Sequence, residues 1–175
     1  MTKIEVPLTA HVEETINVLD SCGCLLVSGN LEKANVMTIG WGLIGYLWSK
    51  PFFMVAVRPS RHTYNFMEAS EDFTVNVPKR GMEEIVDYCG SVSGRDHDKF
   101  KEKGLTLIPS KTVNSPIISE CIIHFECKVA YKMNVEPSKL PNDILTSSYP
   151  SGDYHILYFG EIVATYADED AQDQL

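Results

Sequence analysis

The chain has 175 residues, of which 44% are hydrophobic and 22% charged, and its formal net charge is −9. Such a length and composition suit one domain with a proper core and set disorder aside. The negative balance excludes a nucleic-acid partner from the expectation, because neutralising phosphates takes a basic face.

Met1, Thr2, Lys3, Ile4 and Glu5 turn acidic at once and carry no apolar signal core. Four runs follow at 22–28, 35–41, 43–48 and 52–58, rich in β-branched and aromatic residues and punctuated by Gly or Pro. Their spacing is that of an antiparallel barrel or sandwich. The apolar stretches within them are broken by glycines or stopped at Arg58, well short of the roughly 20 residues that cross a bilayer. No membrane partner is expected, and the chain reads as cytoplasmic. Cys22 and Cys24 flank Gly23 at the start of the first run, where strand geometry points both thiols to one face.

Residues 61–69 switch to helical spacing through Tyr64, Met67 and Glu68, with Ser60 as the expected N-cap. Phe73 to Val77 alternates as a strand and stops at Pro78. Met82 to Tyr88 sets Met82, Ile85 and Val86 against acidic neighbours, an amphipathic helix. Asp96 to Lys103 predicts a short exposed helix closed by Gly104. Sheet returns at Ile122–Val135 and Tyr154–Tyr166, and the three prolines between Glu136 and Pro150 predict a long loop. From Asp168 the tail is acidic and expected to fray, so the reading is one domain over 1–167 and a tail over 168–175. Strands on both sides of a helical insertion imply a mainly β fold, a barrel with helices at its ends.

The chain has no GxGxxG that leads from a strand into a helix, no GxxxxGK[ST] and no GxSxG, so common dinucleotide, triphosphate and serine-nucleophile devices are absent. Its five cysteines form an odd set without an export signal, which speaks against a disulfide framework. Cys121, His124 and Cys127 resemble a metal cluster, but on a strand Cys121 and His124 face opposite sides; no metal site is expected. Gly90-Ser91-Val92-Ser93-Gly94-Arg95 reads as an ordinary surface loop. Arg58-Pro59-Ser60-Arg61-His62-Thr63 lies where a strand meets a helix start. Unpaired backbone N–H groups, two arginines and two hydroxyls suit a phosphate there; a capped surface helix with solvated arginines explains the same residues. Asn35, Met37, Ile39 and Trp41 share a strand face that suits either a flat ring or plain core packing.

These stretches together resemble the flavoredoxin branch of the flavin reductase-like, FMN-binding split-barrel family. The resemblance runs through Asn35-Val36-Met37-Thr38-Ile39-Gly40-Trp41, Lys50-Pro51, Arg58 to Thr63 and Phe73 to Pro78. It continues through Cys89-Gly90, Ser93-Gly94-Arg95, Asp98-Lys99-Phe100, Gly152 to His155 and Gly160-Glu161. It implies a Greek-key split β-barrel that binds FMN between two copies of the chain. Arg58, Ser60, Arg61 and Thr63 would bind the phosphate, with Lys99 and Arg95 adding charge. Asn35, Thr38 and the backbone at Ile39 and Gly40 would meet the polar edge of the ring, with Trp41 beside it. The family pattern is Gly-Asp-His, whereas Tyr154 here separates Asp153 from His155, so His155 is assigned to the cofactor site across a one-residue insertion. No residue is assigned as catalytic. Three readings follow: an FMN oxidoreductase fed by NAD(P)H or a redox protein, a non-enzymatic flavin- or haem-binding module, and a plain scaffold.

Overall fold

The computed structural model describes residues 3–175; Met1 and Thr2, which open the expected domain and the N-terminal stretch, lie outside the described residues. In chain order the elements are β1 (Lys3–Glu5), α1 (Val12–Ser21), β2 (Cys24–Gly29), β3 (Ala34–Ile39), β4 (Gly42–Leu47) and β5 (Lys50–Val57). Then come α2 (His62–Ala69), β6 (Asp72–Val77), α3 (Glu83–Ser91), α4 (Lys99–Lys103), β7 (Leu107–Ile108) and β8 (Ile117–Ile118). The chain closes with β9 (Ile123–Asn134), α5 (Asn142–Ser148) and β10 (Ile156–Asp168).

The main sheet is antiparallel in the order β3-β2-β6-β9-β10-β5-β4, with β1 added to β10. Alternate residues of its strands point inward to one core: Leu26, Met37, Val55, Phe73, Val75, Phe125 and Tyr158 among others. A sheet whose strands all feed one core is wrapped on itself, and the fold is a mainly β split barrel. Register shifts at Phe159/Gly160 and Ile162/Ala164 bend β10 against β9. Gly160 belongs at that bend, because a Cβ there would lie 2.5 Å from Phe73 Cζ and 2.7 Å from Cys127 Cβ.

A second, smaller core explains why β2 is apolar without alternation. Leu25 and Val27 of β2 and Val36 of β3 face outward onto Met82, Val86 and Cys89, which α3 lays across them. The α3 helix therefore seals one flank of β3, and the site described below forms along that edge.

Several expectations change. Cys22 is the C-cap of α1 and Gly23 turns the chain at φ 93°, so Cys22 packs on the outer core while Cys24 enters the inner one. α1 forms over 12–21, where no element is expected. Arg61, not Ser60, is the N-cap of α2. The helix before Gly104 begins only at Lys99, whose side chain is buried rather than exposed. The 136–150 stretch contains α5 and a 3-10 turn at Pro137–Lys139. The tail is docked, not frayed: Ala171 is buried, the Arg80 backbone N–H donates to the Gln174 carbonyl at 2.8 Å, and Lys3 pairs with Asp168 at 3.0 Å. Cys121 belongs to the outer core and Cys127 to the inner, while His124 Nδ1 lies 2.8 Å from Asn76 Oδ1. No helix among the described residues is long and apolar enough to cross a membrane.

Candidate functional site

Where β3, the β5–α2 junction and the loop after α3 converge, two cavities of about 200 and 150 Å³ adjoin, sharing Met37 and Arg61 as lining. Together they lie at the low end of the usual size for a small-molecule pocket. All of the site residues singled out in the sequence line one or the other.

The smaller cavity is lined by Asn35, Ser60, Arg61, Thr63, Arg95 and Lys99, together with His62 and the 89–94 segment. No acidic residue borders it, although the chain carries −9 overall. The helix start contributes too, since α2 has no side-chain cap. Burial holds the Lys99 ammonium below its ordinary pKa, and the Val36 and Cys89 carbonyls accept from it at 2.9 and 2.6 Å. Burial and the cations Arg95, Lys99 and Lys33 likewise lower the His62 pKa. Arg61 donates to the Gly90 carbonyl at 3.1 Å, and Arg95 to the Ser60 carbonyl at 3.1 Å. Clustered cations without a carboxylate partner favour an anion.

Asn35 belongs to this cationic end rather than to the ring edge, because its Nδ2 donates to Thr63 Oγ1 at 2.7 Å. Gly94 is required beside it: a Cβ there would lie 2.0 Å from Asn35 Oδ1. The loop read as ordinary surface thus forms a wall, through Ser91, Ser93 and Gly94. Its clue was the pair of glycines, which let backbone approach backbone closely.

The larger cavity is lined by Met37, Thr38, Ile39, Gly40, Trp41, Ala56, Arg58, Arg61 and His155. The Thr38 hydroxyl turns away from it, donating to the Val86 carbonyl of α3, so β3 offers this cavity backbone groups and the turn after it offers the Trp41 ring. Trp41 lies 4.8 Å from the His155 ring and 6.2 Å from that of Tyr149. Burial, then the Arg58 and Arg61 charges, push the His155 pKa down to about 4.

Arg58 and Ser60 line the cavities and are also bonded to the 148–153 loop. The Arg58 guanidinium donates to the Ser148 and Asp153 carbonyls at 2.9 and 3.2 Å and lies 5.1 Å over the Tyr149 ring. The Ser60 hydroxyl donates to Asp153 Oδ2 at 2.5 Å. Both residues clamp the 148–153 loop, whose Gly152 and Asp153 adopt φ 76° and 57°, and the clamp sets His155 at the cavity wall. Arg61, Arg95 and Lys99 remain as the charges lining the smaller cavity. Tyr149, buried in this loop, escaped the sequence reading because nothing in a proline-bearing polar stretch marks one tyrosine as inward-facing.

A family model described as flavin reductase like domain matches residues 23–175. An uncharacterized protein of Pyrococcus abyssi (strain GE5 / Orsay) is 32% identical over 149 residues, covering 83% of this chain and 73% of its own. The flavoredoxin structure from Methanosarcina acetivorans is 29% identical with a TM-score of 0.66, over 85% of this chain and 69% of that one. An FMN-binding domain of a flavin reductases-like enzyme from Shewanella baltica OS155 has a TM-score of 0.67 at 20% identity, over 95% and 78%, and bears on the fold alone.

Proposed function

The chain belongs to the flavin reductase-like family, and from that premise we propose that it binds FMN and works as an FMN-dependent oxidoreductase or electron-transfer protein. The observation that carries this is the junction of two unlike cavities through Arg61: a cationic one without carboxylates and one walled by strand backbone and Trp41. A ligand with a phosphate at one end and a flat, polar-edged ring at the other matches that sequence of environments. Arg61, Arg95, Lys99, Thr63 and the α2 start would hold the phosphate. The backbone from Thr38 to Gly40 would meet the ring edge, with Trp41 and His155 beside the ring. Bound FMN would supply the redox chemistry, while the chain orients it and sets the charge around it.

The reading includes a homodimer. β4 is a terminal strand of the sheet, and Leu43, Tyr46, Leu47 and Trp48 on and just after it expose apolar side chains. An open edge of this kind is ordinarily covered. A second copy there would also enlarge a pocket that one copy leaves small. The electron donor is NAD(P)H or a redox protein.

Anaerobic reduction tests the redox part. Protein reconstituted with FMN should lose its yellow colour on stoichiometric NAD(P)H or with a reduced redox protein. FMN that neither reduces, and that only dithionite bleaches, would refute the oxidoreductase reading and leave a binding module.

A further inference from the structure

Tyr149 and His155 form a pair that flavin binding alone does not require. The Tyr149 hydroxyl lies 2.8 Å from His155 Nδ1, and both side chains are buried. Trp41 and Tyr149 pack the imidazole at 4.8 and 5.5 Å between ring centroids, so it cannot turn freely. His155 lines the larger cavity. Its Nε2 has no hydrogen-bond partner among the described residues, yet it is not among their buried, unpartnered atoms, so it is an accessible atom of a side chain that lines the cavity.

One proton must lie between Oη and Nδ1, and the surroundings decide whose it is. The Arg58 guanidinium over the Tyr149 ring, at 5.1 Å, makes the phenol the better donor and an imidazole N–H aimed at it the poorer choice. With Nδ1 accepting, the ring proton of a neutral histidine goes to Nε2. We propose that Tyr149 is a positioning residue: its O–H···Nδ1 bond fixes His155 as the neutral tautomer that offers an Nε2–H donor to the ring cavity.

The charged groups around the imidazole are Arg58 and Arg61 from the β5–α2 junction and Asp153 from the loop. Burial and the two arginines outweigh Asp153, and the pKa of about 4 keeps His155 neutral throughout the range from pH 6 to 8. The donor is therefore constant with pH. Only the identity of the acceptor rests on the FMN reading. If the ring of FMN occupies the cavity, an N–H donor favours its more electron-rich, reduced form.

The tautomer is measured on the protein without any ligand, from the ring ¹⁵N shifts of His155 between pH 5.5 and 8. The expected result is Nε2–H in the parent and a mixture of tautomers in Tyr149→Phe, whose ring preserves the packing. With FMN, Tyr149→Phe should bind the oxidised form within about threefold of the parent. It should lose about three- to tenfold in preference for the reduced form, the size of one neutral hydrogen bond. His155→Gln carries its own amide N–H, so adding Tyr149→Phe to it should leave that preference unchanged. A parent His155 protonated at Nδ1 or at both nitrogens at pH 7 overturns the proposal, as does a Tyr149→Phe variant with the parent's tautomer. If the tautomer shifts as expected but FMN does not bind, the FMN reading fails and the Tyr149 assignment stands.

Discussion

Replacing Arg61 by alanine separates phosphate recognition from everything else in the site. Arg61 is exposed, and its one side-chain hydrogen bond among the described residues, to the Gly90 carbonyl at 3.1 Å, joins two surface segments, so the fold should survive its loss. Toward a bound phosphate the guanidinium would supply a charge-assisted bond of about 1.5–3 kcal/mol, the exposed position pulling the value to the lower end. At 1.4 kcal/mol per decade, Arg61→Ala should weaken FMN about tenfold to a hundredfold. Riboflavin has the same ring and no phosphate, so it should bind the parent weakly and lose little more in the variant. Titration of both ligands by flavin fluorescence, with circular dichroism as the folding check, gives the comparison. Equal FMN affinity in parent and variant, or an equal loss for both ligands, would refute the phosphate assignment.

Other consequences concern stability and assembly. His124 is fully buried and burial lowers its pKa from 6.5 to about 3, so below pH 6.5 the unfolded chain takes up a proton that the folded one refuses. Stability should therefore fall by about 1.4 kcal/mol per pH unit from 6.5 downward, levelling near pH 3. Urea unfolding at pH 6.5 and 5 should show the parent losing about 2 kcal/mol more than His124→Gln. Gly160→Ala forces a methyl against Phe73 and Cys127 and should destabilise by about 1–3 kcal/mol in the same assay. Tyr46→Glu with Leu43→Glu puts charge on the open β4 edge and should turn a dimer into a monomer in light scattering, with weaker FMN binding.

The fold was legible wherever local pattern and tertiary packing agree. The short strands from Cys24 to Val57 announce themselves through β-branched and aromatic residues between glycines and prolines, and Gly104 ends α4 at φ 64°. Elements fixed by a distant partner were not legible. The tail is acidic and reads as solvated, yet Arg80 and Lys3, far away in sequence, hold it down. Lys99 sits in a charged run and reads as exposed, but the Val36 and Cys89 carbonyls accept its protons in the interior. The residues that line the two cavities were legible in the sequence, but not how their bonds divide among them. Arg58, Ser60 and Arg61 look alike in sequence as anion ligands. Only the fold of the 148–153 loop over the first two engages them in a clamp, while the Arg61 side chain reaches the Gly90 carbonyl instead.

The proposed site is single, with the FMN phosphate among Arg61, Arg95 and Lys99 and the ring beside Trp41 and His155. Calorimetric titration of ligand-free protein tests it most directly, with FMN and riboflavin run side by side. One FMN per chain is expected, with riboflavin bound more weakly by about tenfold or more, the loss of at least one charge-assisted bond. No FMN binding, or riboflavin bound as tightly as FMN, would contradict it.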